Sequence, residues 1–218
     1  MRIPEYSGNL RANFIHVPKE IDAVGGIRIF GRLIKSIVFT TDVAIIRNCN
    51  ADAVIAVYPF TPQPIITHSI IMGADVPVFA GVGGGTTRGT RVLALAVDAE
   101  QQGAMGVVVN SPTRNELIAS LKQRLEIPII VTVSSERTDI KGRIEAGTSI
   151  FNVSCGSKTP QVVRKIREEY PEVPIIATGG PTGESITETI EAGANAITYT
   201  PPSTAELFKG MMERYRSV

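Results

Sequence analysis

Two hydrophobic patterns alternate along this chain. From Lys35 onward, short apolar runs rich in Val and Ile end in Gly, Ser, Thr, Asn or Asp, and a stretch with helical spacing follows each. Eight runs read this way: 36–39 (SIVF), 53–58 (AVIAVY), 76–81 (VPVFAG), 105–110 (MGVVVN), 127–133 (IPIIVTV), 149–154 (SIFNVS), 173–179 (VPIIATG) and 195–200 (NAITYT). They are apolar throughout, as expected of parallel strands covered on the outside by helices. Between them, helices are predicted over 90–102, closing at Gly103, over 113–125 behind Pro112, over 159–170 between Pro160 and Pro171, and over 182–191. Gly147 and Gly193, each in an EAG triplet, fit the left-handed residue after a helix.

Eight strands alternating with helices predict an α/β fold, a (β/α)8 TIM barrel with an N-terminal extension. A doubly wound open sheet would alternate in the same way. The even count and a last helix at 205–215, placed to close the ring, favour the barrel. The expected organisation is one domain over 1–218, with the extension at 1–35 and the barrel at 36–218. Within the extension, 27–30 and 33–38 flank Gly31 and read as a hairpin or a cap over the barrel bottom.

A domain of 218 residues buries roughly 70% of its unfolded surface, so it needs no metal or disulfide to fold. Cys49 and Cys155 form no CxxC pair and no disulfide framework. The N-terminus lacks the apolar core of a secretory signal, and no run reaches the roughly 18 apolar residues of a membrane span. A cytoplasmic protein with no membrane partner is expected. Net charge of +1 and the absence of Trp leave no basic, aromatic stripe for nucleic acid, so no nucleic-acid partner is expected either.

In a barrel, ligands bind at the carboxyl ends of the strands. That rim offers Thr40, Thr41 and Asp42, then Tyr58, then the loop Gly83, Gly84, Gly85 leading to Arg88, then Asn110. Further round come Thr132 and Glu136, Asn152 and Cys155, Thr178 with Gly179 and Gly180, and Thr198 with Thr200. Glycine amides ahead of a helix N-terminus hold phosphate well. Thr178, Gly179, Gly180 and Thr182 are therefore phosphate candidates, joined by Thr200 and Ser203, although Pro201 and Pro202 supply no amide. The same glycines equally suit a tight turn. The triglycine loop reads either as a second ligand loop, with Arg88 pairing an anion, or as a flexible lid.

Acid–base chemistry falls to Asp42 and Glu136, with Asn110 and Asn152 orienting a substrate; Asp42 also reads as a helix N-cap and Glu136 as an exposed loop residue. His16 and His68 read as structural or surface residues. Cys155 has no histidine on the rim to activate it. No cluster of metal-ligand spacing exists, so no metal site is expected; Asp42 leaves room for Mg²⁺ held partly by a substrate phosphate.

The stretch 177–197, ATGGPTGESITETIEAGANAI, resembles the strand-seven phosphate loop of the phosphate-binding barrels. That group includes the keto-deoxy-phosphogluconate aldolases, thiamine-phosphate synthase and N-acetylmannosamine-6-phosphate epimerase. The aldolases' strand-six Schiff-base lysine has no counterpart in SIFNVSC, and Lys158 lies beyond that strand. The whole chain also resembles bacterial barrels that carry only a general hydrolase label. The resemblance implies an enzyme of a small phosphorylated metabolite, such as a sugar phosphate, acting as isomerase, epimerase, lyase or hydrolase. It requires no cofactor. FMN, whose phosphate uses the same Gly-Gly loop, defines an alternative oxidoreductase, and a metabolite-sensing barrel without catalysis is a third reading. The apolar stretch 65–72 reads as helix-on-barrel packing or as a homo-oligomer interface.

Overall fold

The computed structural model describes residues 14–217, together with Pro4 and Gly8. A short antiparallel hairpin, β1 (Ile27–Ile29) and β2 (Arg32–Ile34), precedes eight parallel strands. These are β3 (Ser36–Phe39), β4 (Ala53–Ala56), β5 (Val78–Gly83), β6 (Gly106–Val109), β7 (Ile129–Val133), β8 (Ile150–Val153), β9 (Ile175–Thr178) and β10 (Ala196–Tyr199). Each pairs with the next, and β10 pairs with β3, so the sheet closes into a barrel. The helices between them are α1 (Val43–Arg47), α2 (Pro64–Gly73), α3 (Thr90–Gln101), α4 (Asn115–Lys122), α5 (Ile140–Glu145), α6 (Thr159–Glu169) and α7 (Gly183–Glu191), with α8 (Thr204–Arg216) last. The fold is the expected (β/α)8 barrel. No helix among the described residues is long and apolar enough to cross a membrane.

Alternation along each strand sorts the apolar runs into an inner and an outer set. Ile37, Ile55, Phe79, Val108, Ile130, Ile150, Ile176 and Ala196 fill the barrel interior. Their neighbours Val38, Val54, Val107, Val131, Phe151 and Ile175 face the helices. Ile29 and Ile34 of the hairpin join the inner set, so β1–β2 is both hairpin and plug at the amino ends of the strands. There Asp52 Oδ2 accepts from the Lys35 and Ser36 amides, each at 2.9 Å, fixing where β3 begins.

The last helix differs from expectation. α8 contains no buried residue, and Leu207, Phe208, Met212 and Tyr215 stay open to solvent. The β10–β3 seam is covered instead by the segment ahead of the hairpin. Val17 packs against the apolar clusters on both sides of the seam, with Ile15 on one side and Ile21 and Val24 on the other. An Ile15–Cys49 bridge and the 2.7 Å bond from the Val17 amide to Asn50 Oδ1 hold this segment in place. The ring closes through residues 15–24, and the position α8 was expected to fill is taken.

Candidate functional site

Near the carboxyl ends of the strands the inward positions turn from aliphatic to polar. Two residues beyond Ile130, Ile150, Ile176 and Ala196 stand Thr132, Asn152, Thr178 and Thr198, so each inherits its inward direction from the strand period. Asn152 Nδ2 donates to Thr132 Oγ1 at 3.4 Å. Asn152 Oδ1 and Thr198 Oγ1 are buried and have no partner among the described residues. Leaving such an atom unpaired costs about 1–3 kcal/mol, which a bound water or ligand recovers. Across the mouth, Asn110 and Tyr58 line a cavity of about 230 Å³ with Gly81, Gly83 and Gly85. The Tyr58 hydroxyl accepts from the Gln63 amide at 2.9 Å, which pins the loop after β4.

The two candidate carboxylates are already engaged. Asp42 caps α1, its Oδ1 accepting from the Ala44 amide at 2.8 Å and the Ile45 amide at 3.3 Å. Its Oδ2 accepts from the Thr204 hydroxyl at the start of α8. The Thr204 bond is the main reason the carboxyl lies below its usual range; burial opposes it, and the Ile45 and Ala44 amides add to the lowering. Glu136 pairs with Lys158 at 3.4 Å and lines the groove between α5 and α6. Burial pushes the Cys155 thiol up, the Glu136 charge adds to the rise, and Sγ donates to Val133 O at 3.4 Å. A thiol in that state is a poor nucleophile at neutral pH.

In the predicted phosphate loop, most groups have a local role. Gly179 is buried, and a Cβ there would lie 2.8 Å from both Ile186 and Ile197, so close packing of α7 on β10 demands glycine. Gly180 adopts φ +82°, and a Cβ would meet Ser185 Oγ at 2.5 Å. Thr182 caps α7 in a reciprocal box with Ser185. A Cβ on Gly183 would lie 2.8 Å from Glu20 Oε1, so the covering segment places a carboxylate beside the first turn of α7. Ser203 caps α8 in a second box with Glu206. Thr200 is exposed. Of the predicted set, Thr178 faces the mouth, and the Gly180 amide has no partner among the described residues.

The triglycine loop bends sharply, with Gly83 at φ +116° and Gly84 at φ +95°. The Gly84 amide donates to Thr87 O at 2.9 Å, and Arg88 Nε donates to Gly85 O at 2.8 Å. Two residues outside the expected rim shape it. Arg143 on α5 donates to Ser111 O at 2.8 Å, to Asn115 Oδ1 at 3.0 Å and to Thr113 O, clamping the loop after β6. Glu20 is the other. Glu20 and Arg143 act on segments distant in sequence and carry no local signal.

Donor chemistry decides the metal question. Among the described residues no three His, Cys, Asp or Glu side chains gather into a metal-holding group, and Asp42 is committed on both oxygens. A Mg²⁺ ion here would rest on a single carboxylate, Asp42, with the remaining ligands from substrate and water.

Fold and site together define a (β/α)8 barrel with a neutral, hydrogen-bonding mouth. Several solved structures share the fold. A Burkholderia cenocepacia protein described as a phosphonomutase superposes with TM-score 0.66 at 15% identity, over 87% of this chain and 94% of that one. A phosphonopyruvate hydrolase, solved with oxalate and Mg²⁺, gives 0.58 at 14% identity over 96% of each chain. A 2,3-dimethylmalate lyase of the PEP mutase/isocitrate lyase superfamily gives 0.62 at 12% identity, over 84% and 81%. No protein-family model and no curated protein sequence matches the chain.

Asp42→Ala is expected to lower stability by about 1 kcal/mol at neutral pH in urea unfolding, the usual cost of losing an N-cap. The folded carboxyl lies below its unfolded value, so its contribution is complete above that value and disappears as pH falls through the folded one. The wild-type and variant unfolding midpoints therefore converge in acid.

Proposed function

We propose that this protein is an enzyme acting on a small phosphorylated metabolite, bound in the barrel mouth. One observation carries the reading: the buried, partnerless Asn152 Oδ1 and Thr198 Oγ1 stand at inward-facing positions where barrels bind ligands. Asn110, Thr132 and Asn152 would orient hydroxyl or carbonyl oxygens. The Gly180 amide, with Thr178, Thr200 and the first turn of α7, would take the phosphate. Enzymes of small phosphorus- or carboxylate-bearing molecules share the fold. Proton transfer by Asp42 competes with its Thr204 bond, whereas Glu136 meets Lys158 through Oε1 alone.

Those engaged carboxylates also favour a second reading, a barrel that binds the same metabolite and senses it without turnover. Thermal shift against a panel of sugar phosphates and phosphorylated keto acids tests both. At least one compound is expected to stabilise the chain more than inorganic phosphate does, and Asn152→Ala to abolish that gain. Product formed from that compound supports the enzyme, and binding without turnover supports the sensor. No stabilisation by any compound contradicts both.

We also infer that α8 is covered by a second copy of the chain. Leu207, Phe208, Met211, Met212 and Tyr215 recur at helical spacing along it, and its place on its own barrel is filled. The matching surface is the outer side of α2, where Ile65 and Met72 are exposed on a helix without a charged residue. Interface centres are depleted of charge in this way. Light scattering is expected to give a dimer, and Leu207→Glu with Phe208→Glu a monomer; a monomeric wild type refutes the interface.

A further inference from the structure

The helix N-termini of this barrel are finished in different ways. α1, α5, α7 and α8 are closed by their own Asp42, Asp139, Thr182 and Ser203 side chains. α2 and α6 also lack a side-chain cap but carry Pro in the first turn, whereas the twelve-residue α3 and the eight-residue α4 have neither, with Gly89 and Arg114 at the cap position. Both open onto one cavity of about 540 Å³, lined by Gly84, Arg88, Gly89, Thr113, Arg114 and Glu116 among others. First-turn amides lack partners within their helix and carry partial positive charge. Here the first turn of α4 and the Gly89 cap position of α3 meet one cavity lined by Arg88 and Arg114. Arg88 spends Nε on Gly85 O, leaving its terminal nitrogens for a ligand.

A second observation points to the same place. Thr113 lines this cavity, is 3% exposed, and its hydroxyl has no partner among the described residues. It lies against Gly84, where any Cβ would collide with it, so this glycine keeps the hydroxyl at the cavity wall. Glu116 is the one acid of the lining, outnumbered by the two arginines and able to accept from a ligand hydroxyl. A site with uncapped amides, two arginines and the spare Thr113 hydroxyl suits a tetrahedral oxyanion.

We propose that the cavity between α3 and α4 is a binding site for a phosphate-type oxyanion, separate from the barrel mouth. The triglycine loop is the wall between them: Gly83, Gly85, Thr86 and Thr87 line the mouth cavity with Tyr58 and Asn110, while Gly84, Arg88 and Gly89 line the outer one. An anion held outside fixes the loop that bounds the mouth. This inference does not depend on what the mouth binds.

Titrating the isotope-labelled full chain with inorganic phosphate, followed by backbone amide signals, tests it. Saturable shifts are expected at residues 84–91 and 114–117. Arg88→Ala with Arg114→Ala is expected to weaken binding at least about tenfold, the loss of one good charged contact. Thr113→Val keeps the shape of the side chain, and a several-fold weakening there tests the site even if the double variant fails to fold. Shifts confined to residues 178–185, or unchanged affinity in a folded variant, overturn the proposal. The first of those results would leave the phosphate position proposed at β9–α7 standing, and loss of metabolite stabilisation in Asn152→Ala would leave this outer site standing.

Discussion

Closure of the barrel is the constraint on which everything else depends. Once β10 pairs with β3, every second residue of every strand must point at one axis, and the interior has to be filled from within. At the amino ends the filling is aliphatic and the β1–β2 hairpin seals it with Ile29 and Ile34. At the carboxyl ends the same geometry delivers Thr132, Asn152, Thr178 and Thr198 to one small volume. Side chains that short cannot fill the axis or satisfy one another, and two of their oxygens are left unpaired. The rule that stabilises the bottom of the barrel therefore leaves chemistry at the top.

Helix ends set the second level of organisation. A turn capped by its own side chain has spent the amides that would otherwise hold an anion. α7 and α8 both close themselves with reciprocal boxes, and Glu20 adds a carboxylate beside α7. The positive end of α7 is thus shared between structure and any ligand. α3 and α4 have no such closure, and the residues around them include two arginines and the buried Thr113. Asp42 shows the same economy from another side: both of its oxygens accept structural hydrogen bonds, from the α1 amides and from Thr204.

The eight strand runs were legible because β-branched residues bounded by polar turn residues mark buried parallel strands, and every predicted run overlaps an observed strand, with Val78–Gly83 reaching two residues beyond its run. Most helices lie within a residue or two of their predicted ends; α4 is shorter because residues 110–114 form a loop held by Arg143. What the sequence hid was long-range. Nothing local in residues 15–24 says that they cover the β10–β3 seam, and so nothing said that α8 would be left without a seat. The site was half legible. Asn110 and Asn152 follow from strand position and Asp42 reads as an N-cap, but the bond that ties Asp42 to Thr204 comes from a segment distant in sequence that only the folded chain brings near.

The central claim is that the polar mouth around Asn152 and Thr198 is built to receive a ligand's oxygens. The most direct measurement is a titration of the full chain with the best-stabilising phosphorylated compound, followed by the side-chain amide signals of Asn110 and Asn152. Both signals are predicted to shift together and saturate at one affinity. Binding that leaves both unmoved would place the ligand elsewhere and contradict the account.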